Sequence, residues 1–308
     1  MRRHLSLVLI GLGAFLVVAA LLMRFYAYPA LAKAPVDQDS ITSLSATDAT
    51  LFDIATMGPI TTDVNVEVRT VGDVEATEKA GDDILVWVST TSVRSEDGTV
   101  RSRSTDYAAH DAVTGEAVNC CGEYRETTEG EKTEVQRKGQ VFKFPFGTEK
   151  KDYAFWDSSA GQTFPATYAE TDEIDGLEVY IFDMVVPDMV VGTRELPGSI
   201  FGSDEPAVDA EVHYSNTKSM AVEPNTGAIV DRTEAQKQSF VYDGTEVIAT
   251  EMELSFTDKE VAEGVESVES DGPLLGNLKG LYSILAGVIG LLLIAGGVFM
   301  RVRQARTE

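Results

Sequence analysis

Two uncharged apolar runs bracket this 308-residue chain, residues 5–23 and residues 281–300. At about 1.5 Å of rise per residue, runs of 19 and 20 residues make helices of roughly 28–30 Å, the depth of a bilayer's hydrocarbon core. Basic residues stand on the terminal side of each run, Arg2 and Arg3 before the first and Arg301, Arg303 and Arg306 after the second. Positive flanks stay on the cytoplasmic side. The sequence therefore predicts residues 1–4 and 301–308 as cytoplasmic tails and residues 24–280 as an extracytoplasmic segment of a cell-membrane protein. Phe25, Tyr26 and Tyr28 follow the first run and Tyr282 opens the second, where aromatic rings favour the headgroup layer. A cleaved secretory signal is the rival reading of the first run, with Ala30-Leu31-Ala32 as its small-residue site. A signal core holds about 7–15 apolar residues; this run is longer and ends on an aromatic and Arg24 collar. Either reading exports the middle of the chain.

Charge narrows the partners. The chain has 25 basic and 50 acidic residues, and five of the basics but only Glu308 among the acids lie in the tails. The exported segment keeps 20 basic and 49 acidic residues, a net charge of −29. Such a surface repels phosphate backbones, so nucleic acid is excluded as a partner. The expected partners are the lipid bilayer, through the two helices, and envelope lipid or other envelope proteins. Asp172, Glu173 and Asp175 before Gly176 form the best calcium loop on offer, yet they lack the regular ligand spacing that such a loop requires. No metal and no cofactor is expected, and a heavily solvated surface accounts for the carboxylates.

Between the anchors the pattern is that of strands. Val64, Val66 and Val68 alternate with polar residues, and Ile84 to Val88 and Val179 to Phe182 are continuous buried-type runs. Ile248, Met252, Leu254 and Phe256 are expected on one face of a late strand. Helical spacing is confined to residues 259–268, through Val261, Ala262, Val265 and Val268, with Gly272-Pro273 expected to end that helix before the second anchor. Turn signals recur at Glu96-Asp97-Gly98, Thr114-Gly115, Asn225-Thr226-Gly227 and Asp243-Gly244. The expected fold is mainly β: a large antiparallel sheet held between an N-terminal and a C-terminal transmembrane helix. Asp111-Ala-Val-Thr-Gly115 and Glu223-Pro-Asn-Thr-Gly227 share an acidic start and a Thr-Gly turn, as Asp82 to Val88 and Asp175 to Phe182 share an acidic turn and a buried strand. Two similar halves would explain this, and so would a good hairpin turn used twice.

Cys120 and Cys121 are the only cysteines and are adjacent. In an oxidising compartment they can form a vicinal disulfide that locks the turn into Gly122, remain free buried thiols, or link to another chain; the first is favoured. The densest aromatic stretch holds Phe142, Phe144, Phe146, Lys150, Lys151, Tyr153, Phe155 and Trp156. Alternate phenylalanines would line one face of an extended segment. These residues are candidates for the wall of an apolar ligand pocket, the two lysines meeting an anionic head, or for the filling of a core. His110 and His213 stand singly in strand-like stretches, and no HExxH, GxSxG, glycine-rich phosphate loop or paired-cysteine zinc pattern is present. No catalytic residue is assigned, and an enzyme is not expected.

The stretch from Arg24 to Pro35, the block from Thr114 through Cys120-Cys121-Gly122-Glu123, and the stretch from Phe142 to Asp157 together resemble the actinobacterial PorA-type porin family. The resemblance covers nearly the whole chain, anchors included, and implies an envelope protein under the label of a channel former. A membrane-spanning barrel needs strands that alternate an apolar lipid face with a polar lumen, whereas carboxylates here fall on both faces of many strands. The leading expectation is therefore a membrane-anchored envelope protein whose β-rich domain is a binding or scaffold module, with envelope lipid as its ligand. A porin-like channel former is the alternative, and an envelope enzyme the third.

Overall fold

The computed structural model describes residues 2–81, 83–128 and 130–305. Asp82, Arg306 and Glu308, and the side chains of Arg2 and Arg3, lie outside the described residues. The chain divides into a helical unit of residues 1–33 and 269–308 and a β unit of residues 34–268.

In the helical unit, α1 (Arg2–Leu22) passes through a π-helical turn (Met23–Ala27) into α2 (Tyr28–Leu31). After α4 (Asp258–Glu269), which belongs almost entirely to the β unit, come α5 (Asp271–Lys279) and α6 (Leu281–Ala305). α4 stops at Glu269, just ahead of Gly272-Pro273, and that pair does not lead straight into the second anchor; it lies in the first turn of a further helix, α5, where a missing proline N–H costs nothing. The stretches 4–31 and 258–304 are each long and apolar enough to cross a membrane. α1 packs on α6 through glycine. A Cβ on Gly290 would stand 2.7 Å from the Gly13 carbonyl oxygen, and one on Gly297 2.8 Å from that of Ser6. Small residues let helix backbones approach this closely. Leu5, Phe15, Leu22, Leu291, Leu292 and Phe299 point away from the pair and are exposed.

The β unit is a twelve-stranded antiparallel sheet of neighbouring hairpins. One run is β1 (Asp39–Asp53), β2 (Gly58–Gly72), β3 (Ile84–Ser95), β4 (Val100–Asp111), β5 (Tyr124–Thr128) and β6 (Glu131–Glu134). The other is β7 (Tyr153–Asp157), β8 (Gln162–Ile174), β9 (Leu177–Leu196), β10 (Val208–Val222), β11 (Ile229–Tyr242) and β12 (Thr245–Phe256). The spatial order is β6-β5-β4-β3-β2-β1-β12-β11-β10-β9-β8-β7, so β1 and β12 join the two runs. Local chemistry sets the hairpins: Asp243 and Gly244 both take positive φ, the geometry of the tight turn that suits strand twist. α3 (Val74–Ala80) covers β3, with Asp73 capping it by accepting the Ala76 N–H.

The expected alternation holds on β2. Val64 and Val66 are buried with Leu44, Leu51, Val93, Met252 and Leu254, with Val68 packed alongside, while Asp63, Asn65, Glu67 and Arg69 face outward and are exposed. Ile248 departs from its expected face. A register shift between Gln238 and Ser239 inserts an extra residue in β12, and Val247 and Ala249 join the cluster of Phe201, Ala210 and Phe240 instead. A third cluster spans β7 to β10 and includes Phe144, Phe182, Met184, Tyr214 and Met220.

The helix contact has a direct test. A Cβ on Gly287 would lie 3.7 Å from that of Ala20, within the range of about 3.5–4.5 Å that a disulfide spans. The full chain carrying Ala20→Cys and Gly287→Cys is expected to crosslink on mild oxidation, read by peptide mass. Adding Gly290→Leu, which drives a side chain against the Gly13 backbone, is expected to slow crosslinking about tenfold or more, since overpacking costs about 1–3 kcal/mol. An unchanged rate would mean the helices pair by another face.

Candidate functional site

The site is built on two turns of the same design. At the end of β4 the Asp111 carboxylate accepts the N–H groups of Val113 (3.0 Å) and Thr114 (2.7 Å) and the Thr114 hydroxyl (3.0 Å). After β10 the Glu223 carboxylate accepts the N–H groups of Asn225 (3.0 Å) and Thr226 (2.7 Å) and the Thr226 hydroxyl (2.6 Å). Each turn closes on glycine, Gly115 at φ 73° and Gly227 at φ 72°. Burial works against the Asp111 carboxylate, and the Thr114 and Val113 donors outweigh it and hold the acid below the usual carboxylate range.

Residues 141–147 run between these turns as a strap. Val141 N–H donates to Gly115 O and Phe146 N–H to Val113 O on one side; Phe144 N–H donates to Gly227 O and Gly147 N–H to Asn225 O on the other. Only glycine fits the crossing points: a Cβ on Gly115 would lie 2.7 Å from the Lys143 carbonyl oxygen, and one on Gly227 would collide with that of Phe144. Just before the strap, Gln140 bridges Glu116 and Phe155, and Ala117 bridges His110. Backbone pairing therefore runs from β4 through residues 116–117 and 140 to β7, closing the sheet at this end.

The aromatic candidates divide between two places. Phe144 is fully buried, stacked on Phe182 (4.6 Å between ring centres) and packed against Phe155 (5.2 Å) and Tyr153 (5.5 Å). Phe142 and Phe146 turn the other way, onto Ala34, Leu85, Trp87 and Ala112. The strap is irregular, so its alternate rings do not share one face. Trp156 is buried on β7 and its backbone N–H donates to Gln140 O. Lys150 and Lys151 are exposed, the first over the Tyr180 ring (4.8 Å) and the second paired with Glu149 (2.7 Å).

Two titratable groups meet the strap. His110 on β4 lies between Trp87 (4.5 Å) and Phe142 (5.3 Å), and burial pushes its pKa down to about 3. The Lys143 amine donates to Phe144 O and sits 4.0 Å over the Phe146 ring; burial brings its pKa down to about 7, against a smaller upward pull from Asp111.

Several buried features are invisible in the sequence because their partners are distant along it. Arg137 is fully buried; its guanidinium donates to Glu123 (2.8 Å), to Asp106 (2.8 Å) and to the carbonyls of Tyr107 and Tyr124. Lys218 lies between Asp157 (2.9 Å) and Glu234 (3.6 Å), with Arg232 on Glu234 (3.0 Å). Burial lowers the Lys218 amine, and the two carboxylates overcome that and hold it above the ordinary lysine value. Cys120 and Cys121 are disulfide-bonded to each other. The Asn119 side chain makes two 2.7 Å bonds, donating to Arg137 O and accepting Arg137 N–H.

The charge arrangements give two expected outcomes. An unfolded lysine titrates near pH 10.4. Between about pH 7 and 10 the unfolded chain thus holds the extra proton, and stability climbs with pH; the contribution of Lys143 is complete above its unfolded pKa and is lost as pH falls through about 7. Calorimetry of Lys143→Met should show its Tm advantage over the parent greatest near pH 6 and shrinking towards pH 10, and a gap independent of pH would overturn this account. Lys218→Met leaves Asp157 and Glu234 short of a cation and is expected to cost about 3–5 kcal/mol in denaturant unfolding, whereas Lys151→Met at the surface should change little.

Comparison with known proteins places these elements in a family. The family model described as Porin PorA matches residues 5–299. Porin PorA of Corynebacterium amycolatum is 25% identical over 312 residues, covering 80% of this chain and 80% of that one. Porin PorA of Corynebacterium resistens is 21% identical over 238 residues, covering 56% of this chain and 58% of the other. With most of both apolar helices and the whole β unit inside the matched region, the chain belongs to the Porin PorA family.

Proposed function

We propose that this chain is an envelope-membrane protein that works as a porin-type channel component, crossing the membrane by α1 and α6 and holding its acidic β unit outside. The family match across residues 5–299 carries this reading, because it takes in both helices together with the sheet. Arg301 and Arg303 in the last turns of α6 and Arg2 and Arg3 at the start of α1 support cytoplasmic ends for both. The outward positions of β2 are Thr61, Asp63, Asn65, Glu67 and Arg69, all exposed, and those of β12 include Glu251, Glu253 and Ser255. A sheet crossing lipid needs an apolar outer band there, so membrane contact falls to the helices.

One helix pair offers no water path, since Gly13, Gly290 and Gly297 bring its backbones into contact. The conducting unit is then an assembly of copies, with the carboxylates of the β units raising the local cation concentration. The full-length protein in planar bilayers is expected to give stepwise, cation-preferring currents whose selectivity weakens as salt screens the carboxylates. Silent bilayers at all protein densities, or an anion preference, would overturn the proposal. Silence together with uptake of labelled envelope lipid would instead make the β unit a lipid-binding module.

A further inference from the structure

The turn that carries the disulfide is held in an unfavourable backbone conformation and is wired to the closure of the sheet. Asn119, Cys121 and Gly122 take φ of 55°, 67° and 76°, the left-handed region that only glycine enters freely. Asn119, at one end of the turn, grips both backbone groups of Arg137. Glu123, at the other end, is buried and binds the Arg137 guanidinium. The residues that follow Arg137 close the sheet: Gly139 O accepts the Ala117 N–H, Gln140 N–H donates to Ala154 O, and Gln140 O accepts the Trp156 N–H. Cys121 is exposed and Cys120 half-buried, and the chain has no third cysteine to which the bond could migrate.

We propose that the Cys120–Cys121 disulfide is a redox modification site for a dithiol reductant, and that it latches residues 137–140 in the closed sheet. A thiolate of the dithiol attacks Sγ of Cys121, the accessible sulfur. The Sγ–Sγ bond breaks, a mixed disulfide forms on Cys121, and Cys120 leaves as a thiolate that takes up a proton. The second thiol of the reductant then attacks its own sulfur in that mixed disulfide. Cys121 is released as a thiol, and the reductant departs as a disulfide, two electrons having passed to the protein. With the ring open, Cys121 is free to return to negative φ. The turn then no longer presents the Asn119 amide to Arg137, and the pairing of residues 139–140 with both flanks loosens. Reoxidation restores the latch. This inference stands apart from channel activity, since it concerns the β unit alone.

The test is hydrogen exchange by mass spectrometry on the full chain in detergent, before and after dithiothreitol, with alkylation to count thiols. On reduction the amides of Ala117, Gln140 and Trp156 are expected to exchange about tenfold faster or more, with the β2–β3 ladder unchanged, and reoxidation should reverse the effect. Asn119→Ala should exchange fast at those amides in both redox states, which separates the latch from the disulfide itself. The Cys120→Ser and Cys121→Ser double variant should match the reduced parent. A chain that gains two alkyl groups yet keeps its exchange rates overturns the latch, as does an Asn119→Ala chain protected like the oxidised parent. Resistance of the folded protein to dithiothreitol overturns the modification site.

Discussion

Twelve strands in meander order leave β6 and β7 as edges whose backbone groups need partners, and a single connecting segment partners β7 and ties it back to the turn after β4. Gln140 bridges outward to Glu116 and to Phe155 on β7, and the strap that follows is bonded on one side to the turn after β4 and on the other to the turn after β10. The rest of the β unit follows from this closure. Phe144 reaches the cluster of Phe182, Phe155 and Tyr153 only because the strap crosses there, and Phe142 completes the cage around His110 for the same reason. Two glycines at positive φ and two acid–threonine turns hold it, so small local motifs fix a contact between segments remote in sequence.

Much of this was legible because it is local. An acid followed three residues later by Thr-Gly specifies the turns at Asp111 and Glu223 wherever they occur. The alternation of Val64, Val66 and Val68, and the length of the two apolar runs, likewise need no tertiary information. What the sequence hid depends on partners or on register. The face of Ile248 was lost to a bulge whose cause is the pairing of β12 with β11. The helix expected over residues 259–268 does stop, at Glu269, and the further helix α5 went unread because proline in a first turn starts a helix as readily as it ends one. No local pattern marks Arg137 for burial; its four partners come from β4, β5 and the loop between them.

The buried ion pairs change how the charge should be read. Asp157 and Glu234 face Lys218 and Arg232, while Asp106 and Glu123 face Arg125 and Arg137, so each group is neutral in itself. Burying charge is tolerable only with such compensation. The acidic excess of the chain is therefore carried outside these groups, at positions such as Asp63, Glu67, Glu251 and Glu253. Charge spread over a solvated face sets the surrounding ion atmosphere without requiring a specific site.

The same accounting constrains how copies could meet. The glycines that allow backbone contact, Gly13, Gly290 and Gly297, are spent on the pairing of α1 with α6 within one chain. The exposed faces carry Leu5, Phe15, Leu22, Leu291, Leu292 and Phe299, which lipid solvates as well as another helix does. Apolar burial therefore supplies little drive for association inside the membrane. The conducting assembly proposed here must find its specificity elsewhere, in packing shape between these large side chains or in contacts made by the β units, whose like charges oppose close approach at low salt and do so less as salt rises.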